Sequence, residues 1–204
     1  MEKERKQTKL QSVLRVMLCF ALILGMVSAS AISADAATVT KVKRKQTYSG
    51  GFEYNTISGY TSSNKKVWSL KLKKVSATQV SQVNAKMRGN YLYVTWGRHF
   101  YRLNVQTGKV MVTKKKLFKY TPGGAAMYID ASGNLYIVGY LSRDLYKVSP
   151  KGKILWKKSL DNSLCWPYKI QQKGDNIQIT FEAEWSHRKA QFRMKDGEFV
   201  KYID

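Results

Sequence analysis

The chain has 204 residues, and its 36 Lys and Arg against 13 Asp and Glu leave a formal charge of +23 at pH 7. A hydrophobic fraction of 44%, with 13 Tyr and 5 Trp, is enough for a real core and excludes a disordered basic tail. Only 3 Pro and 14 Gly exclude collagen-like or Pro-rich material.

Lys3, Arg5, Lys6, Lys9 and Arg15 lie ahead of or at the edge of an uncharged apolar run over residues 16–27, and Ala34-Asp35-Ala36 follows as a small-x-small pattern. This layout predicts a secretory signal peptide over 1–36, cleaved before Ala37. The competing reading is an uncleaved anchor, because residues 16–34 carry no charge and approach the length of a membrane span. The short apolar core and the prompt cleavage pattern favour removal. Cys19 sits inside the apolar run behind Leu18, which is wrong for lipidation. Cleavage takes five basic and three acidic residues from 36 and 13, leaving 31 against 10, a net +21. The sole remaining cysteine, Cys165, flanked by Leu164 and Trp166, reads as a small buried hydrophobe and cannot form an internal disulfide. Export without disulfides, behind a long basic leader, suggests a secreted Gram-positive protein by association.

Beyond residue 37 the chain repeats. Trp68, Val112, Trp156 and Val200 are each 44 residues apart, all in short apolar stretches. Four residues before the first three come Asn64, Gly108 and Gly152, with Asp196-Gly197 offset by one in the fourth unit. Gly and Asn accept positive φ at low cost, as a tight hairpin turn demands. An upstream hairpin accompanies each of the last three: residues 83–87, 126–129 and 168–170 lead through Gly-Asn or Gly-Asp-Asn turns into 92–94, 135–137 and 177–179. No sustained helical period occurs outside the leader. Each unit therefore predicts four short antiparallel strands.

Four-stranded units of this length are the signature of a β-propeller blade. The stretch Tyr128-Ile129-Asp130-Ala131-Ser132-Gly133-Asn134-Leu135-Tyr136-Ile137, with Leu145-Tyr146-Lys147-Val148 and Gly152-Lys153-Ile154-Leu155-Trp156, resembles the blades of NHL-type and PQQ-enzyme-like propellers. The resemblance covers about residues 79–204 and reaches 38–78 only through Asn64–Trp68. It implies an all-β β-propeller of about four blades, near 38–78, 79–119, 120–161 and 162–204, the first with degenerate opening strands around Tyr48–Ser58. A closed four-blade ring is favoured over an open arc. The families resembled hold binding modules, lyases and quinone dehydrogenases, so no activity transfers. No set of cofactor ligands can be carried over either, and none is expected.

Arg98, Arg143 and Arg188 recur at spacings of 45 and 45 in what read as the loops between second and third strands. In a propeller those loops share one face with the inter-blade segments, which carry Lys71, Lys73, Lys74, Lys114, Lys115, Lys116, Lys119, Lys157 and Lys158. Trp96, Tyr140 and Trp185 stand beside the arginines. An arginine fork binds phosphate, sulfate or carboxylate in bidentate fashion, and an aromatic face packs on a sugar or base. The expectation is a secreted module that binds an anionic polymer, such as a cell-wall polymer or acidic glycan, through an Arg/aromatic rim. The other reading of the triplet is structural, each arginine stacked on its neighbour. Nucleic acid is the weaker partner, since no known nucleic-acid motif occurs.

Two histidines, His99 and His187, occupy related loops and complete the candidate site. Glu182, Glu184 and His187 could hold a metal or pass a proton, but read better as an acidic strand end beside Arg188 and Lys189, so no metal site is expected. No H-E-x-x-H, G-x-S-x-G or P-loop pattern occurs. The enzyme alternative is a propeller lyase acting on an acidic polysaccharide, with His99 or His187 as base and the arginines holding the substrate. A protein-binding scaffold is the third reading.

Overall fold

The computed structural model describes residues 38–76, 83–123, 125–139, 143–161, 164, 166–183 and 186–203. The expected signal peptide at 1–36, and Tyr140, Cys165, Glu184 and Trp185, lie outside them, and His187 is described by its backbone place alone.

Four antiparallel four-stranded sheets follow one another along the chain. Sheet one holds β1 (Lys41–Ser49), β2 (Phe52–Tyr60), β3 (Lys66–Lys71) and β4 (Val75–Ser76); sheet two holds β5 (Asn84–Arg88), β6 (Tyr91–Trp96), β7 (His99–Asn104) and β8 (Val110–Lys114). Sheet three holds β9 (Ala126–Ile129), β10 (Leu135–Val138), β11 (Asp144–Val148) and β12 (Ile154–Ser159); sheet four holds β13 (Pro167–Lys173), β14 (Asn176–Ala183), β15 (Ser186–Arg193) and β16 (Phe199–Ile203). Sheets two to four are up-and-down meanders. Their middle strands are buried on both faces and accordingly read as apolar runs, such as LYIV in β10.

The sheets stack in chain order through apolar faces. One cluster joins sheets one and two through Ile57, Trp68, Val94, Trp96 and Leu103. A second joins two and three through Phe100, Phe118, Ile137 and Tyr146. A third joins three and four through Val138, Leu145, Ile179 and Phe181. The 44-residue period marks these joints. The Trp68 indole covers Gly108 and donates Nε1–H to the Val105 carbonyl (2.8 Å). Trp156 covers Gly197 and donates to the Met194 carbonyl (3.2 Å). Between them, Lys114 and Phe100 cover Gly152. The outermost strand of one sheet thus lies over the last turn of the next.

Sheet one differs from the expected blade. The degenerate stretch around Tyr48–Ser58 is a regular hairpin of two nine-residue strands, β1 and β2, closed by Gly50 (φ 55°) and Gly51 (φ 73°). Positive φ at both positions is the two-residue hairpin turn whose twist matches its strands. Trp68 and the turn at residues 61–65 match the fourth strands and last turns of the other sheets. Hence β1, β2 and β3 take the second, third and fourth places, and β4 pairs the far end of β2. The first strands β5, β9 and β13 pack side by side in sequence. Among the described residues no such strand pairs the outer edge of β1, which carries Lys41, Lys43, Arg44 and Lys45.

The two ends of the stack are polar. Pairing register puts Lys41, Lys43, Lys45, Ser58, Ser69 and Lys71 on the far side of sheet one, with Phe52, Tyr54 and Tyr60 among them. The far side of sheet four carries Lys169, Gln171, Gln178, Thr180, Lys189, Gln191 and Lys201. Among the described residues no apolar cluster joins sheet four to sheet one. The contacts a closed ring requires are therefore not present among them.

Candidate functional site

An up-and-down meander sends the turn between its second and third strands to the same end as the linker to the next sheet. Equivalent hydrogen bonds tie the two together at this end. The amides of Leu72, Phe118 and Leu160, at the start or middle of each linker, donate to the carbonyls of Asn55 (2.8 Å), Arg98 (3.3 Å) and Arg143 (2.8 Å). The three linker side chains are buried, so each linker is pinned beside the turn it serves. Arg98 and Arg143 are thus true counterparts.

Arg188 is not. It lies within β15, opposite Phe181, instead of in the turn. The last turn of sheet three closes from Ser149 to Lys153, while those of sheets two and four close one residue wider, from Asn104 to Lys109 and Arg193 to Glu198. Counting back from these closures, His187 matches Arg98 and Arg143, whereas Arg188 matches His99 and Asp144. The even spacing of the arginines conceals this one-residue slip, and a slip of one turns a strand residue to the other face.

Trp96 also departs from the expected role. It is fully buried and donates Nε1–H to the Lys73 carbonyl (2.6 Å), so its ring faces are occupied by the core. The exposed aromatics at this end come from elsewhere. Tyr120 and Trp166 lie in the linkers, and Tyr48, Phe52 and Tyr54 sit on the β1–β2 hairpin, which projects past the level of Asn55. Lys74 lies over the Phe52 ring (4.0 Å to the centroid), and Lys119 over Tyr120 (5.3 Å). The sequence offered only degenerate opening strands around Tyr48–Ser58; neither the regular hairpin about Gly50-Gly51 nor its projection beyond its neighbours was legible.

Positive charge gathers around His99. Burial pushes the imidazole below its usual pKa, and Lys73, Lys115, Arg98 and Lys116 push it further in the same direction. Among the described residues, every charged group that shifts it is a cation. The Lys116 amide donates to its Nδ1 (3.2 Å), so in the neutral ring the proton resides on Nε2. Arg98 is held by its Nε, which donates to the Phe118 carbonyl (2.7 Å). The cluster draws on the segment between β3 and β4, the turn of sheet two and the linker after sheet two.

Backbone strain gathers here too. Lys116 (φ 52°), Arg143 (φ 48°) and Trp166 (φ 54°) are three of the four described non-glycine residues at positive φ. Each costs free energy that a glycine would not. The acidic groups at this end are largely internal. Asp144 is buried and accepts from Ser159 Oγ (2.8 Å), Tyr146 Oη (2.9 Å) and Lys157 Nζ (3.2 Å). Glu53 is buried and accepts from Asn55 Nδ2 (2.9 Å). Glu182 is exposed and lies opposite His187 in the ladder. Among the described residues no group of three His, Cys, Asp or Glu could hold a metal ion.

The architecture is that of a propeller-type all-β protein built from four stacked sheets. Solved structures with a similar arrangement include a protein of unknown function from Bacteroides caccae, 12% identical, with a TM-score of 0.50 over 76% of this chain and 57% of that one. They also include a streptogramin B lyase, 12% identical, with a TM-score of 0.50 over 78% of this chain and 58% of that one. At that identity the likeness is one of fold, and this chain spans less than two thirds of either structure. No family model and no curated protein sequence matches it.

Proposed function

We propose that this is an exported binding module for an anionic polymer at the cell surface, and that the polymer lies across the linker end of the stack. The cation shell of Lys73, Arg98, Lys115 and Lys116 around His99 is the observation that carries the reading. Four cations held together with no ion pair among the described residues repel one another, and a line of phosphates or carboxylates relieves that repulsion. Tyr48, Tyr120 and Trp166 supply exposed rings for sugar units beside the charge. The polar far sides of sheets one and four suit an open arc that ends in water, as terminal units of a repeat stack do. Of the two bases a lyase could use, His99 has its Nδ1 lone pair engaged by the Lys116 amide and its proton on Nε2, so it serves an anion better as a donor.

The test compares two variants of equal charge. Lys73/Lys115/Lys116→Gln removes three cations from the shell, and Lys109/Lys151/Lys195→Gln removes three exposed lysines from the opposite end. Binding of poly(glycerol phosphate), polygalacturonate and double-stranded DNA is followed across a salt series. The reading requires the first variant to lose affinity for one polymer class far more than the second. Equal losses in both, for every polymer, would reduce the effect to net charge and end the proposal.

A further inference from the structure

The opposite end of the stack, where first meets second and third meets fourth strand, holds a cleft between sheets two and three. It measures about 340 Å³ and is walled by Arg88, Tyr91, Arg102, Ser132, Gly133 and Pro150, among others. That is the lower end of the range for small-ligand pockets, enough for one sugar-sized molecule.

Arg102 is its distinctive feature. Its guanidinium lies on the Tyr91 ring (4.0 Å to the centroid), and Nη1 donates to the Pro150 carbonyl (2.9 Å). These contacts fix the plane and occupy one nitrogen. Nε is buried with no acceptor, and Nη2 makes no hydrogen bond among the described residues. Nε and Nη2 share the edge of the guanidinium that grips an oxyanion in bidentate fashion. A buried N–H left without an acceptor is costly, so the arrangement is incomplete as it stands.

The next joint supplies an internal comparison. Lys147 occupies the position of Arg102, lies over Tyr136 (5.4 Å) and donates Nζ to the Met194 carbonyl (2.9 Å). A lysine therefore suffices for the strut between sheets, and the fork of Arg102 exceeds what stacking requires. Arg88 adds a second cation at the cleft wall. Asp130, next to the cleft-lining Ala131, accepts from the Asn134 amide (2.8 Å), Asn134 Nδ2 (2.9 Å) and Tyr136 Oη (3.3 Å), and is directed into its own turn.

We infer that the cleft binds a small molecule bearing a terminal oxyanion, carboxylate or phosphate, on a sugar-sized body, with Arg102 as the fork and Arg88 as the second cation. The site is separate from the linker end and does not depend on polymer binding there.

Titration of the full chain with sodium glucuronate, glucose 6-phosphate and inorganic phosphate, against sodium chloride at matched ionic strength, tests this. At least one oxyanion is expected to saturate. Arg102→Lys, whose fold is precedented by Lys147, is expected to weaken it about tenfold, the worth of one charge-assisted hydrogen bond. Lys73/Lys115/Lys116→Gln is expected to leave it within about twofold, a few tenths of a kcal/mol. A response to glucuronate alone assigns a carboxylate, and a response to either phosphate assigns a phosphate. Should Arg102→Lys fail to fold, Arg88→Gln carries the same comparison. No saturation with any of the three by about 20 mM, weaker than ordinary millimolar binding, would overturn the inference. So would saturation that the arginine variant leaves unchanged.

Discussion

Replacing Gly108 by alanine tests how the sheets are joined. Gly108 sits at φ 69°, and an added Cβ would fall 2.6 Å from the Trp68 ring. Three costs follow. Alanine at positive φ costs about 1–2 kcal/mol. Forcing the indole aside in a filled joint costs about 1–3 kcal/mol. Loss of the hydrogen bond from Trp68 Nε1 to Val105, which the displaced ring cannot keep, costs about 1 kcal/mol. Together these come to about 3–6 kcal/mol, a large part of the roughly 5–15 kcal/mol available to a domain of this kind. Gly174→Ala is the matched control, since Gly174 has φ 59° and nothing within 4 Å of the added atom. It should cost only about 1–2 kcal/mol, the backbone part alone. Urea unfolding followed by tryptophan fluorescence should separate the two midpoints by about 1 M or more, given a slope near 2 kcal/mol per M. Equal midpoints would refute the claim that the Trp68–Gly108 contact joins sheets one and two.

Three further outcomes are expected. His99 should titrate below 6.5 in the isolated protein, and its pKa should rise when a polyanion neutralises the surrounding cations; imidazole NMR shifts report both. Because folding lowers this pKa, the unfolded chain binds the proton more readily, so stability should fall as pH drops from 6.5 to the folded value and should level off below it; His99→Gln should remove that slope. Asp144→Asn should cost about 2 kcal/mol in chemical denaturation, because the amide turns a donor towards Ser159, Tyr146 or Lys157 where an acceptor stood. Arg143→Gly should raise the unfolding midpoint, by about 0.5–1 kcal/mol, through relief of its positive φ. The same variant should weaken polymer binding, the combination expected of a residue strained for binding.

Much of the fold was determined locally and could be read without coordinates. A turn at positive φ calls for Gly or Asn at one position, and a buried strand needs β-branched, aromatic or other apolar residues. The 44-residue period from Trp68 to Val200 and the hairpins of sheets two to four followed from that chemistry. So did the gathering of lysine-rich linkers at one end, since a meander always returns its linkers to the same side. What depended on stacking was not legible. Whether Trp96 faces a ligand or the core is decided by sheet one lying against it. A turn one residue shorter after β11 moves Arg188 out of register with Arg98 and Arg143, although the interval in sequence stays constant. That the hairpin around Gly50-Gly51 takes the second and third places of its sheet, with no first strand among the described residues, shows only when β1 is seen at the edge of the sheet. Likewise the cation shell of His99 and the unpaired edge of Arg102 join residues from separate units. Local pattern sets each sheet, but the sites lie between sheets, and only packing brings their halves together.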